Sequence, residues 1–146
     1  MAIAIRTHIE GLAASIAKLD SVEKKLRTKI LRKAMGQAGK LVLWAAKAKA
    51  RRVTGLLRRS LGRKVKLFKN GVAIAIVGPR VGFEQEVQRG GRTVMSKPTK
   101  YSHLVEKGTK HSKPQPFLRP AGEEQKGIVE SAIGNTIANG IEDAAR

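Results

Sequence analysis

Apolar residues along this chain recur first at helical and then at strand spacing, and the change of period divides it into segments. Ile9, Leu12, Ile16 and Leu19 fall three or four apart, which predicts an amphipathic helix within residues 1–20. Asp20-Ser21 interrupts it, and Ser21 is a good N-cap with Glu23 and Lys24 in the turn that follows. Val22, Leu26, Ile30, Ala34, Ala38, Leu41, Ala45 and Ala48 then mark one face of a long helix. Lys24, Lys25, Lys29, Arg32, Lys33, Lys40 and Lys47 lie mostly off that stripe. Gly36 and Gly39 weaken its middle by about 1 kcal/mol each relative to alanine, while the alanine-rich stripe lets a packing partner approach closely.

"RRVTGLLRRS" ends the long helix, and Thr54 can cap a short turn that runs to Ser60. The period then changes to two. Val65 and Leu67 alternate with Lys64 and Lys66, Asn70-Gly71 predicts a two-residue hairpin, and Val72, Ile74 and Ile76 form one face of the return strand. Ala73, Ala75 and Val77 make its other face apolar too, which predicts an internal strand stopped by Gly78-Pro79. In residues 80–100, "FEQEVQ" and "RTVMS" flank Arg89-Gly90-Gly91 and predict a protruding hairpin, with a mobile loop as the alternative. "YSHLVEKG" reads as a short helix closed by a left-handed Gly108. "TKHSKPQP" reads as an extended loop. The last segment predicts a helix with Pro120 in its first turn, Glu123 and Glu124 near its positive end, and Ile128, Ile133, Ile137 and Ile141 as its buried stripe. The expected architecture is α+β in one domain, 1–146. A long N-terminal basic helix and a C-terminal helix pack on a small antiparallel sheet built from hairpins.

Charge changes the picture more than any motif. The chain carries 30 Lys and Arg against 11 Asp and Glu, a formal +19. Residues 22–59 hold 13 basic residues and one acid, residues 60–120 hold 13 and three, and residues 121–146 hold two and five. Such asymmetry implies a polyanion or an acidic partner surface. Lys24, Lys25, Arg32, Lys33 and Arg51 are the candidate contacts with DNA or with that partner. The five aromatic residues are scattered, which argues against base-stacking recognition of single strands and leaves backbone contact open. Cysteine is absent, so disulfides and thiolate metal sites are excluded. No apolar run reaches membrane-spanning length. The opening "MAIAIRTHIEGL" is broken by Arg6 and is not expected to serve as a secretory signal.

The chemically suggestive stretch is "YSHLVEKGTKHSKPQPFLRPA". His103 and Glu106, three apart, could exchange a proton, and His111 could add a metal ligand. Yet no HExxH and no carboxylate cluster accompanies them. Gly108-Thr109-Lys110 lacks the rest of a phosphate loop, and Ser60 and Ser102 lack a triad or a nucleophile elbow. No catalytic residue, metal or cofactor is expected. As packing, the segment makes sense: Pro114 and Pro116 stiffen an extended approach, Phe117 and Leu118 plug the core or a neighbour's groove, and Arg119 pairs with Glu106.

"YSHLVEKGT" followed by "PQPFLRPA" resembles the signature of the tail-component family of long-tailed phages, the tail-completion or neck proteins. Tyr101, Val105, Glu106, Gly108, Thr109, Pro116, Phe117, Leu118, Pro120 and Ala121 carry it. Upstream, Thr54, Gly55, Leu57 or Leu56, and Ser60, then a strand hairpin and Gly78-Pro79, support it over roughly residues 31–128. The family's proline shortly before Thr-Gly is missing here, where "ARRVTG" stands. The resemblance implies a non-enzymatic virion subunit at the neck, assembled in the host cytoplasm. It implies a ring, as a hexamer or dodecamer, between connector and tail-terminator or tube proteins, with DNA in its channel. Phe83, Arg89 and Arg92 would then belong to an inter-subunit arm. The alternative is a small basic protein that binds the duplex backbone.

Overall fold

A computed structural model describes residues 3–4, 22–52 and 54–146. Its elements run β1 (Ile3–Ala4), α1 (Lys24–Lys49), α2 (Leu56–Ser60), β2 (Leu61–Leu67), β3 (Ala73–Pro79), β4 (Gln85–Arg89), β5 (Arg92–Ser96), α3 (Pro98–Lys107) and α4 (Leu118–Ala145). This is the expected α+β arrangement of two long helices with small antiparallel sheets. The expected helix through Ile9 and Leu19, and the Ser21 cap, lie outside the described residues. Glu23 stands at the N-cap of α1 and makes no side-chain cap bond.

The two long helices share the core. The buried row of α1 is Ile30, Ala34, Ala38, Val42 and Ala46, continued by Ala50 beyond its end. Helix α4 answers with Ala121, Val129, Ile133 and Ile137. Both rows step by four residues or multiples of four, the ridges along which helices interdigitate. The pair is antiparallel. At one end Lys49 Nζ meets Glu124 Oε1 at 2.6 Å. At the other, a Cβ on Gly140 would sit 2.8 Å from Ile30 Cγ1, so only glycine lets the backbones come this close. The lysine-rich start of α1 therefore lies beside the acidic end of α4, and the helix dipoles oppose one another favourably.

Two expected stripes need correction. In α1 the row continues through Val42, Ala46 and Ala50, whereas Leu41 and Ala45 are half-buried and Ala48 is exposed. A four-residue step held throughout keeps one ridge on α4, and the three-residue step from Ala38 to Leu41 would leave it. In α4, Ile128 is 55% exposed, and Val129 takes the buried place expected for it.

Strand β3 lies between β1 and β2, with Val65 opposite Ala75 and Ile3 opposite Val77. This is the internal strand that its two apolar faces predict. Helix α1 covers the face bearing Ala75 and Arg63: a Cβ on Gly39 would touch Ala75 Cβ at 3.4 Å, and Arg63 Nη1 donates to the Gly36 carbonyl. The two glycines that weaken α1 are thus where the sheet comes nearest. Ile74 and Ile76, on the opposite face, are half-buried.

The turn at Asn70-Gly71 differs from expectation. Phe68 N–H donates to Val72 O at 2.9 Å and Gly71 N–H to Phe68 O at 3.1 Å, so three residues make the loop. Only Gly71 has positive φ, at 80°, the arrangement of a turn followed by a glycine bulge. A two-residue turn occurs instead between β4 and β5. There Arg89 pairs with Arg92 across Gly90 and Gly91, whose φ values are 57° and 75°, as a type I′ turn requires.

Candidate functional site

The most fully built polar centre is Glu106, in the last turn of α3 and only 9% exposed. Its Oε2 accepts from the backbone N–H of Phe117 at 2.9 Å and of Leu118 at 3.1 Å, and its Oε1 accepts from Arg119 N–H at 2.9 Å. These are donors of the first turn of α4, which has no carbonyl above it to bond. The next residue, Pro120, has no N–H. Glu106 and Pro120 together therefore account for the four orphan donors at this helix start. The carboxylate also sits at the positive end of the helix dipole. The expected pairing of Glu106 with the Arg119 side chain is not formed. The Arg119 guanidinium bonds Glu123 Oε1 at 3.1 Å on the surface, and only its backbone reaches Glu106.

The residues around Glu106 hold this geometry. Gly108 adopts φ 77° and ψ 174°, a region essentially closed to other residues and not the left-handed helix-stop conformation expected for it. A Cβ there would lie 2.7 Å from Pro114 N. The chain folds back over the glycine, and Gln115 N–H donates to Val105 O at 2.8 Å. Thr109 closes the intervening loop, exchanging backbone bonds with Ser112 and accepting from His111 N–H at 3.3 Å. Pro116 ends the loop. Phe117 is fully buried and Leu118 is 3% exposed, both in the chain's own core, with Tyr101 and Val105 packed against it. Helix α3 also starts three residues earlier than "YSHLVEKG" suggests, at Pro98, which is itself buried.

A second backbone device surrounds Thr54 and Gly55. Gly55 takes the left-handed conformation, φ 71°, at the start of α2, and Thr54 Oγ1 accepts from Leu56 N–H at 3.5 Å. At the other end Arg80 closes the helix: its Nη2 donates to Arg59 O at 2.9 Å, and its backbone N–H to Ser60 O at 2.8 Å. Gly62 makes room, since a Cβ there would lie 2.6 Å from Arg80 Cγ. This role of Arg80 has no signal in the sequence beyond its position after Gly-Pro.

Val87, Arg89 and Val94 of the β4–β5 hairpin border a cleft of about 240 Å³ with Lys100 and Tyr101 of α3. The hairpin's principal contacts are between its own strands. Lys97 Nζ meets Glu84 Oε1 at 2.6 Å at its base, and the Arg80 guanidinium stacks 5.2 Å from the Phe83 ring centre. Phe83 thus belongs to the base, half-buried, while Arg89 and Arg92 are exposed at the tip. Val94 and Met95 are also exposed, at 45% and 49%.

The basic candidates do not form one patch. Lys24, Lys25, Arg32 and Lys33 are exposed along α1. Lys24 lines a cleft of about 570 Å³ with Phe68, Lys69 and Asn70. Arg51 lies past the helix end and lines a separate cleft of about 120 Å³ with Tyr101, Thr109 and Lys113. Among the described residues, no three His, Cys, Asp or Glu side chains come together, and no helix is long and apolar enough to cross a membrane.

Fold and site define a helix-and-hairpin protein whose polar centre locks its last helix in place. Over residues 13–108 the chain matches the family described as "Bacteriophage HK97-gp10, putative tail-component". The chain belongs to that family and is a phage tail structural protein, associated with the virion. The matched residues include Thr54, Gly55, Tyr101, Glu106 and Gly108, whereas Thr109 and residues 116–121 lie past their end. No curated protein and no solved structure matches it.

Proposed function

We propose that this chain is a non-enzymatic tail-completion subunit of the neck. It joins the finished tail to the head connector around the DNA path, as a ring of six or twelve copies assembled in the host cytoplasm. Its neighbours are the connector and the tail-terminator or tube proteins. The observation that carries this reading is the β4–β5 hairpin, an arm with two arginines at its tip and its principal contacts within itself. Like charges opposite each other across a hairpin are unfavourable in isolation. An acidic surface on the neighbouring connector or tail ring would relieve them.

Replacing residues 85–93 by two glycines tests it. The expected protein is folded, with an unchanged melting temperature, and phage carrying it make tails and filled heads that do not join. Infectious virions from this variant would overturn the arm. The exposed row Lys24, Lys25, Arg32 and Lys33 favours a second reading, in which the free subunit binds the duplex backbone. A gel-shift series across salt separates the two: tight binding by the free subunit at physiological salt supports duplex binding. Weak binding with concentration-dependent ring formation supports the neck subunit.

A further inference from the structure

The outward face of α1 carries a feature that neither the arm nor the helix lock uses. Trp44, the only tryptophan, is 65% exposed on a helix whose other large apolar side chains are at least half-buried. Lys33, Gln37, Lys40, Trp44 and Ala48 step by three and four along α1 and are all exposed. Lys40 Nζ lies 5.4 Å from the indole centre. Neither Lys33 nor Lys40 forms an ion pair among the described residues, whereas Glu84, Glu106, Glu123 and Glu124 are each engaged within the chain.

We propose that this face docks an acidic, apolar-centred surface of a different virion protein, with Trp44 as the anchor and Lys33 and Lys40 as its charged rim. This rests on the reading of the chain as an assembly subunit. A second copy is a poor occupant, because it brings the same 30 basic against 11 acidic residues. Duplex DNA is a poor occupant because phosphates are met by lysine alone and give a large exposed indole nothing to bury. Tryptophan is enriched at binding hot spots and the surrounding rim is polar; here the two lysines lie on the N-terminal side of Trp44 along α1.

The lone tryptophan makes the face readable by its own fluorescence. The probe is a synthetic amphipathic helical peptide of Leu and Glu, compared with poly-glutamate of equal charge and with a short DNA duplex. The expected result is a blue shift of Trp44 emission with the Leu/Glu peptide, which binds at least about tenfold more tightly than poly-glutamate. Lys33→Glu with Lys40→Glu abolishes binding. Trp44→Ala, whose unchanged circular dichroism confirms folding, loses about thirtyfold in affinity, the loss typical of a hot-spot tryptophan. The proposal is overturned if the peptide leaves the emission unmoved, if the duplex binds more tightly and shifts it, or if raising protein concentration alone shifts it. In phage, loss of joining on gene deletion with full complementation by Trp44→Ala and Lys33→Glu/Lys40→Glu would sink only this face. Joined particles after gene deletion would sink the neck reading itself.

Discussion

Residues 101–121 and the β4–β5 hairpin are both polar and glycine-bearing, yet they are built for opposite purposes. In the first, the one buried carboxylate and the backbone around it turn inward. Glu106 accepts three backbone donors, Gln115 returns to Val105, and Phe117 is buried in the chain's own core. In the second, side chains at the tip turn outward, and the strands bond chiefly each other. A motif dense in His, Glu, Gly-Thr and Pro can thus be a fastening. A plain hairpin with two arginines is the better candidate for meeting a partner. Deleting an inward-facing group should act on stability, and changing an outward-facing one should act on assembly.

The largest break is at Glu106. Glu106→Ala leaves three N–H groups at the start of α4 without an acceptor, each costing about 1–3 kcal/mol before relaxation and water entry. We expect a net loss of about 3–5 kcal/mol in urea unfolding, a large part of a small domain's stability. Glu106→Gln retains one acceptor oxygen but turns an N–H₂ toward a donor, and should lose less. Arg119→Met should change stability by no more than about 0.5 kcal/mol and add to Glu106→Gln without coupling, since the guanidinium faces Glu123. Strong coupling would show that the side chain, and not the backbone, is held by Glu106.

Gly108→Ala is the next largest. Positive φ with extended ψ costs a non-glycine residue about 1–3 kcal/mol, and the added Cβ would press on Pro114 N at 2.7 Å. We expect a loss of about 2–4 kcal/mol in the same assay, with hydrogen exchange fastest at the amides of Gln115 and Phe117. Equal loss at Gly90→Ala would erase the comparison, because the hairpin turn supports no core and its disruption should leave global unfolding unchanged.

The strengths and failures of sequence reasoning follow the same division. Element order and the internal position of β3 were legible because apolar periods and turn residues are written in side chains. The α1 ridge slipped from Val42 and Ala46 to Leu41 and Ala45 because neighbouring positions are apolar on both sides, so only the partner helix selects the row. Asn70-Gly71 implied a two-residue turn, yet the pairing of Phe68 with Val72 sets a three-residue loop. For Glu106, the sequence pointed to Arg119, which is the right neighbour by the wrong atoms. Backbone N–H groups have no letter of their own, and a carboxylate that closes a helix start eleven residues away looks like half of an ion pair. Trp44 gave no signal as a surface feature, since an indole on an apolar-rich helix is normally counted as core.

The smallest effect separates folding from assembly in one residue. Arg92 stands directly opposite Arg89 beside the Gly90-Gly91 turn. Arg92→Glu replaces a like-charge pair by an opposite-charge pair, worth roughly 0.2–1 kcal/mol across an antiparallel ladder. The hairpin alone should gain that much, read as slower exchange of the Val87 and Val94 amides, while the melting temperature stays within error. If the arm meets an acidic neighbour, the same change places a carboxylate against it, and head–tail joining should fall even as the hairpin grows more stable. A parallel rise in hairpin stability and in joining would show that the arginines serve the arm's own fold. Unchanged joining would show that the tip meets no charged surface.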